Sequence, residues 1–233
     1  MSKAIAQKRD EVFLCTKIFG TRFPAPNSAG LTRLNLIRGV NDSLKRLQTD
    51  YIDLFLIHAP QPWADFRGGD YTDGNRAAWK PMEEALEASK VRAIGVSNFK
   101  NEDVDALVAG ATVVPHVNQV LVHAGNTPQD ILTYSAEKNI VVQGYSPMGH
   151  GEILGNETIG AMAEKYGVSV PQLAIRYVIQ LGTVALPKTA NKEHMKANAD
   201  VNFEISDEDM QTLINLEAKD YGDVSFFPVY SGK

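Results

Sequence analysis

Six short apolar runs recur along this chain, each closed by a polar residue. The sharpest occupies residues 50–60, where Ile52, Leu54, Phe55, Leu56 and Ile57 stand almost without interruption and Pro60 follows. A run this short and this rich in Ile, Leu and Phe predicts a strand buried on both faces. His58 stands at its C-terminal end. The other predicted strands are 12–16, closed by Lys17; 93–96, closed by Ser97 and Asn98; 113–118, closed by Gln119; 140–144, closed by Tyr145 and Ser146; and 183–187, closed by Lys188 and Thr189. Strands alternating with helices make a parallel sheet with crossover helices. In parallel α/β barrels the reactive side chains sit at the C-terminal strand ends. The six polar closures are therefore expected to converge on one rim.

Helical signals fill the gaps. Ile37, Val40, Leu44 and Leu47 predict a helix over roughly 31–48, and Trp79, Met82 and Leu86 one over roughly 76–90. Asn101 reads as an N-cap, and Thr127-Pro128 as a helix start with proline at its first position. Ser169-Val-Pro-Gln172 is a capping box opening a helix to about residue 181. Short helices follow over 191–199 and from Ser206, whose acidic first turn suits the dipole. Residues 1–11 read as the tail of a helix. Residues 18–30 and 59–75, with their prolines and glycines, read as long loops.

Composition narrows the function classes. The chain has 233 residues, 44% of them hydrophobic, enough for one barrel domain spanning 1–233. A net charge of −5 argues against a nucleic-acid or membrane-surface partner. No apolar run approaches the ~20 residues of a membrane span. The N-terminal residues lack the apolar core of a signal peptide. Cys15 is the one cysteine, which rules out an intrachain disulfide and suits a reducing, cytoplasmic setting. His116, His123 and His150 have no ligand-like spacing, so no metal is assigned.

The rim is chemically coherent. Lysine and histidine together can tune a proton donor and polarise a carbonyl oxygen. Ser97, Asn98 and Gln119 offer the donors and acceptors that a carboxamide needs. Tyr145 can stack on a flat ring. Lys188 and Thr189, just before a helix N-terminus, suit a phosphate. Taken singly each has a structural reading: a strand-end lysine, a hydrogen-bonded histidine, a turn cap, a core tyrosine, a solvated helix start.

The stretches Asp42-Ser-Leu-Lys-Arg-Leu47, 50–60, Val91-Arg-Ala-Ile-Gly-Val-Ser-Asn-Phe99, Val117-Asn-Gln-Val120, Tyr145-Ser-Pro-Met-Gly149 and Leu186-Pro-Lys-Thr189 together resemble the aldo-keto reductases, in particular the 2,5-diketo-gluconate reductase-like branch. The resemblance runs from about residue 4 to the C-terminus. It implies a TIM (β/α)8-type barrel that binds NADPH and passes hydride to an aldehyde or ketone. It also implies an Asp-Tyr-Lys-His tetrad in which Tyr is the general acid. By motif match Lys17 is the lysine and His58 the histidine. The resemblance gives Ser97, Asn98 and Gln119 to the carboxamide, Tyr145 to the nicotinamide face, Ser146 and Met148 to the pyrophosphate, and Lys188, Thr189, His194 and Asn198 to the adenosine end.

Several departures follow. The family's Asp and Tyr belong to a segment for which this sequence has no counterpart, as though two strand–helix units of ~30 residues each were missing at the N-terminus. The six strands then either close alone or leave two open edges through which chains self-associate. Without the tyrosine the chain alone is expected to reduce carbonyls slowly, since general acid help is worth ~10²–10⁴-fold. His194 stands where the family often has Arg for the 2′-phosphate. An imidazole offers no guanidinium fork, so NADH becomes a candidate beside NADPH. Ala59, Leu121 and Ala197 also depart from common family residues, leaving the carbonyl substrate open. Two other readings stand beside the reductase: a non-enzymatic NADP(H)-binding sensor or interaction protein, and a barrel aldolase using Lys17 or Lys188 as a Schiff base.

Overall fold

The computed structural model describes residues 7–18, 33–61 and 69–217. Among them six strands alternate with eight α-helices. In chain order these are β1 (Cys15–Ile18), α1 (Arg33–Leu47), β2 (Ile52–Ile57), α2 (Thr72–Glu87), β3 (Val91–Ser97), α3 (Asn101–Val108), β4 (Val117–Leu121), α4 (Gln129–Glu137), β5 (Val141–Tyr145), α5 (Glu157–Tyr166), α6 (Val170–Gln180), β6 (Val184–Leu186), α7 (Lys192–Ala199) and α8 (Asp207–Ile214). The strand order in the sheet is β1-β2-β3-β4-β5-β6. The β1–β2, β2–β3 and β5–β6 pairs are parallel. By its contacts the chain divides after Asn118, inside β4, into two compact units.

In the first unit β2 is buried at every position, as its unbroken apolar run predicts. Cys15 pairs with Leu54 and Lys17 with Leu56, while Leu54 and Leu56 pair in turn with Ala93 and Gly95. Alternation along each strand therefore puts Cys15, Lys17, Leu54, Leu56, His58, Ala93 and Ser97 on one face. Gly95 is bare for a steric reason: a Cβ there would lie 2.4 Å from the Val117 carbonyl oxygen and 2.8 Å from Leu56 Cδ2. On the other face Ile18 reaches α1 over Gly39, where a Cβ would lie 2.4 Å from Ile18 Cδ1. The Trp79 indole of α2 is buried and donates to the Val113 carbonyl at 2.9 Å.

Asp53 ties down the N-terminal ends of these strands. Its carboxylate accepts from Arg9 at 2.6 Å and from the Leu14 N–H at 2.9 Å, with Arg92 at 3.2 Å. Arg9 and Arg92 each stack 3.8 Å from the centroid of Tyr51. Burial works to raise the Asp53 pKa, but these donors outweigh it and hold the carboxyl below its usual range.

The second unit packs Val120, Val122, Leu173, Tyr177 and Val178 at its centre. Gly144 lets Val178 and Val122 close over β5, a Cβ there lying 2.9 Å from the first and 3.0 Å from the second. Tyr177 is fully buried, and its hydroxyl shares a 2.5 Å hydrogen bond with that of Thr127. The capping box at Ser169 forms as the sequence predicts.

Several boundaries differ from the sequence reading. β1 begins at Cys15 rather than at residue 12, and Lys17 lies inside it. β4 begins at Val117, because the lead-in is already spent: Val113 accepts from Trp79, and the His116 N–H donates to the Ile94 carbonyl at 2.9 Å. Gln119 is accordingly the middle residue of β4, not its closure. α2 starts at Thr72, four residues early, where Asp70 accepts the Thr72 N–H at 2.9 Å. Of the predicted helix tail over 1–11, residues 1–6 lie outside the described residues, and Arg9–Glu11 is a 3-10 turn. α5 went unpredicted; Asn156 caps it and Gly167, at φ 65°, ends it. The predicted loop residues 19–30 and 62–68 lie outside the described residues. No described helix is long and apolar enough to cross a membrane.

Candidate functional site

In the first unit polar residues at or beside the C-terminal ends of β1, β2 and β3 form a bonded cluster. Lys17 Nζ donates to Ser97 Oγ at 3.4 Å. Asn98 Nδ2 donates to the His58 carbonyl at 3.0 Å and to Ser97 Oγ at 3.2 Å. Asn98 sits at φ 62°, a left-handed position that Asn tolerates better than most residues. The turn it makes keeps Ser97 and Asn98 buried, at 0% and 2% exposure. Leu54 and Leu56, on the face that Lys17 shares, form an apolar cluster with Val117, with Cys15 and Ala93 against it.

Burial on this face sets the protonation states. Burial lowers Lys17 to about 8, with Cys15 pulling weakly the other way. Burial, assisted by the Lys17 charge, lowers His58 to about 4. Burial pushes the Cys15 thiol up to about 11. At pH 7 the cluster therefore presents a mostly protonated lysine, a neutral imidazole and a neutral thiol. Such a set can polarise a carbonyl oxygen and stabilise negative charge developing on it.

In the second unit a cavity of about 770 Å³ opens at the C-terminal ends of β5 and β6. Seven residues picked out from the sequence line it: Tyr145, Ser146, Met148, Lys188, Thr189, His194 and Asn198. Leu154, Pro171 and Leu186 supply apolar wall. Its size falls in the ~300–1,000 Å³ range of small-molecule sites. Cation, hydroxyls and amide beside an aromatic ring and an apolar wall fit a dinucleotide carrying phosphates.

Two features differ from the sequence reading. Gln119 is buried, and its Nε2 donates to Gln143 Oε1 at 2.8 Å, so its amide is held by a neighbour on β5. The α7 N-terminus is not simply open: Asn191 Oδ1 accepts the N–H groups of Glu193 and His194 at 2.8 and 3.4 Å. Side chains must then carry more of any phosphate grip than the helix end does. His150, which the sequence offered only as a histidine without ligand-like spacing, also lines the cavity. It lies at φ 57°, with Nε2 3.5 Å from Ser146 Oγ. Its signal was its place just after Tyr145–Gly149. Among the described residues no group of three His, Cys, Asp or Glu side chains is placed to hold a metal ion.

The model of the Aldo/keto reductase family matches residues 1–218. An uncharacterized oxidoreductase of Schizosaccharomyces pombe is 38% identical over 187 residues, which make up 79% of this chain and 64% of that protein. This chain thus spans just under two thirds of that relative. The glyoxal reductase of Bacillus subtilis is 33% identical over 88% of this chain and 68% of its own length. A crystal structure of an aldo-keto reductase of Bombyx mori in complex with NADP is 30% identical, with a TM-score of 0.77 over 91% of this chain and 71% of that one. The strand–helix alternation is the α/β, TIM-barrel-type fold expected from the sequence, and the chain belongs to the aldo/keto reductase family.

Proposed function

We propose that this chain reduces a small-molecule aldehyde or ketone with NADPH, the first unit handling the carbonyl and the second the dinucleotide. One observation carries the reading: seven residues assigned to the cofactor from scattered motifs line a single cavity. The NADP complex of the Bombyx mori relative supports the choice of cofactor. Bound NADPH would supply hydride to the carbonyl carbon. Neutral His58 donates a hydrogen bond to the carbonyl oxygen and orients it. Protonated Lys17 stabilises the charge that grows there. Ser97 and Asn98 hold the strand end that aims both. In the second unit Lys188 supplies a cation to phosphate, Ser146 and Thr189 supply hydroxyls, and Tyr145 a stacking face. His194 lacks a bidentate fork, so discrimination against NADH is weak.

Titration of NADPH fluorescence tests the cofactor half. A saturable change is expected, with Kd rising about tenfold in Lys188→Ala, or ~1.4 kcal/mol. NADH is expected to bind within about tenfold of NADPH. Turnover of glyoxal and other aldehydes, followed by loss of NADPH absorbance, tests the chemical half. No saturable binding of either nucleotide overturns the reading.

A further inference from the structure

We infer that His194 reads the phosphate monoester of NADPH only while its ring carries a proton, so that pH grades the chain's choice between NADPH and NADH. This proton gate rests on the cofactor reading proposed above. His194 lines the cavity of about 770 Å³ together with Lys188, Thr189 and Asn198. It stands in the first turn of α7, where Asn191 Oδ1 accepts its backbone N–H at 3.4 Å. Among the described residues nothing hydrogen-bonds its ring. Tyr145 pairs with Leu186, so Lys188 lies past the level of the tyrosine and His194 further along the chain. A dinucleotide with its nicotinamide on Tyr145 therefore runs toward α7. Its far end, which carries the extra phosphate in NADPH, is the end that His194 meets.

The surrounding charges make the proton conditional on the ligand. Among the described residues the ionisable lining of the cavity is Tyr145, His150, Lys188 and His194, with no carboxylate. On α7 itself stand Lys192, Glu193 and Lys196, the last two paired at 3.3 Å, and Asp200 follows the far end of the helix. α6, packed against α7, brings Arg176, which donates to Gln180 Oε1 at 2.8 Å and to the Val201 carbonyl at 3.5 Å. From the β5 side His150 has its Nε2 3.5 Å from Ser146 Oγ. The lysines and Arg176 oppose a positive charge on the imidazole, and a phosphate dianion in the cavity favours one. Phosphate binding and protonation of His194 therefore promote each other, and the coupling is reciprocal.

The window follows from general chemistry. An ordinary imidazole is about half protonated near pH 6.5 and about one part in a hundred at pH 8.5. A phosphate monoester takes its second proton only near pH ~6, so it is still largely a dianion at about 6.5. Across this window a fall in pH gives NADPH a charge-assisted hydrogen bond that it lacks at alkaline pH. NADH has no monoester, and its pyrophosphate keeps one charge state throughout. Any other group that titrates against the shared pyrophosphate acts on both nucleotides alike. The ratio of the NADH Kd to the NADPH Kd therefore isolates the monoester contact.

Fluorescence titration of the whole chain with NADPH and with NADH, at pH values between about 8.5 and about 6.5, tests the gate. The Kd ratio should rise about tenfold in favour of NADPH from the alkaline to the acid end. His194→Gln should hold the ratio at its alkaline value throughout. His194→Arg should hold it high throughout, because a guanidinium keeps its charge and adds a fork. His150→Gln should leave the rise intact. α7 has no buried residue, so both His194 variants should keep the melting temperature of the parent chain. A ratio that stays flat in the parent chain while both nucleotides bind overturns the gate and leaves the cofactor reading standing. A rise that survives in His194→Gln, or vanishes in His150→Gln, gives the proton to another group and also overturns it. Saturable binding of neither nucleotide at any pH removes the cofactor reading itself.

Discussion

The two units treat their polar residues in opposite ways. In the first, Lys17, Ser97, Asn98 and His58 lie near the C-terminal ends of parallel strands whose shared face carries an apolar cluster, and hydrogen bonds link Lys17 to Ser97 and Asn98 to Ser97 and the His58 carbonyl. In the second, Lys188 and Thr189 follow a three-residue strand, and His194 and Asn198 ride on α7, a helix with no buried residue. Burial perturbs protonation in the first cluster, and perturbed protonation is what proton chemistry uses. Open cavity walls and reachable side chains are what ligand capture uses. Under the proposed function the difference puts chemistry in the first unit and grip in the second, a division that experiment can break.

The largest effect is expected at Lys17. Lys17→Met should cost ~10²–10⁴-fold in carbonyl turnover while shifting the NADPH Kd less than twofold. A large loss of NADPH affinity in a chain that keeps its melting temperature would break the division of labour. Lys17→Arg should not restore turnover, because a guanidinium does not fit the same apolar face.

Next comes the steric basis of each half. Gly95→Ala pushes a methyl against the Val117 carbonyl oxygen, which cannot move without bending β4. Gly144→Ala meets Val178 and Val122 side chains, which can shift. Overpacking typically costs ~1–3 kcal/mol. Gly95→Ala is expected at the top of that range and Gly144→Ala nearer the bottom, as read by chemical denaturation. Equal losses would mean that the first unit's backbone yields as easily as the second unit's side chains.

Legibility followed the same divide. β2 could be read at once because all six of its residues are buried, so hydrophobicity alone marks it. The capping box at Ser169 was legible because it is local chemistry. α5 was not, since Asn156 and Gly167 bracket it over a distance that a scan for apolar periodicity passes over. Gln119 was misplaced because the strand end depends on contacts remote in sequence, Trp79 with Val113 and His116 with Ile94. The cavity residues were identifiable by motif. What no motif reveals is that Asn191 already occupies two amides of α7, because that depends on how one side chain turns back.

Acid should test the burial of one histidine in each unit. His58 and His123 are both held near 4 by burial, the latter with Nδ1–H donating to the Ala124 carbonyl at 2.7 Å. Their unfolded values lie near 6.5. Between about 6.5 and 4 the unfolded chain binds more protons than the folded one, so stability falls as pH falls. Each group adds at most ~1.4 kcal/mol per pH unit to that slope. Both His58→Gln and His123→Gln should flatten the acid limb of a stability profile and leave it unchanged above pH 7. If His123→Gln alone flattens it, His58 is better solvated than the carbonyl-handling role requires.

The smallest effect concerns how the second unit grips anions. Asn191→Ala removes an N-cap, which typically costs ~1 kcal/mol, and should raise amide exchange across α7. It also frees the Glu193 and His194 N–H groups, which a phosphate oxygen can then reach. Because Lys188 and Thr189 remain, NADPH affinity should change less than threefold. If affinity instead improves tenfold, the helix end is the stronger anion site and its cap has been holding it closed. The grip proposed for the second unit would then come from backbone, and the chemistry proposed for the first from strand ends.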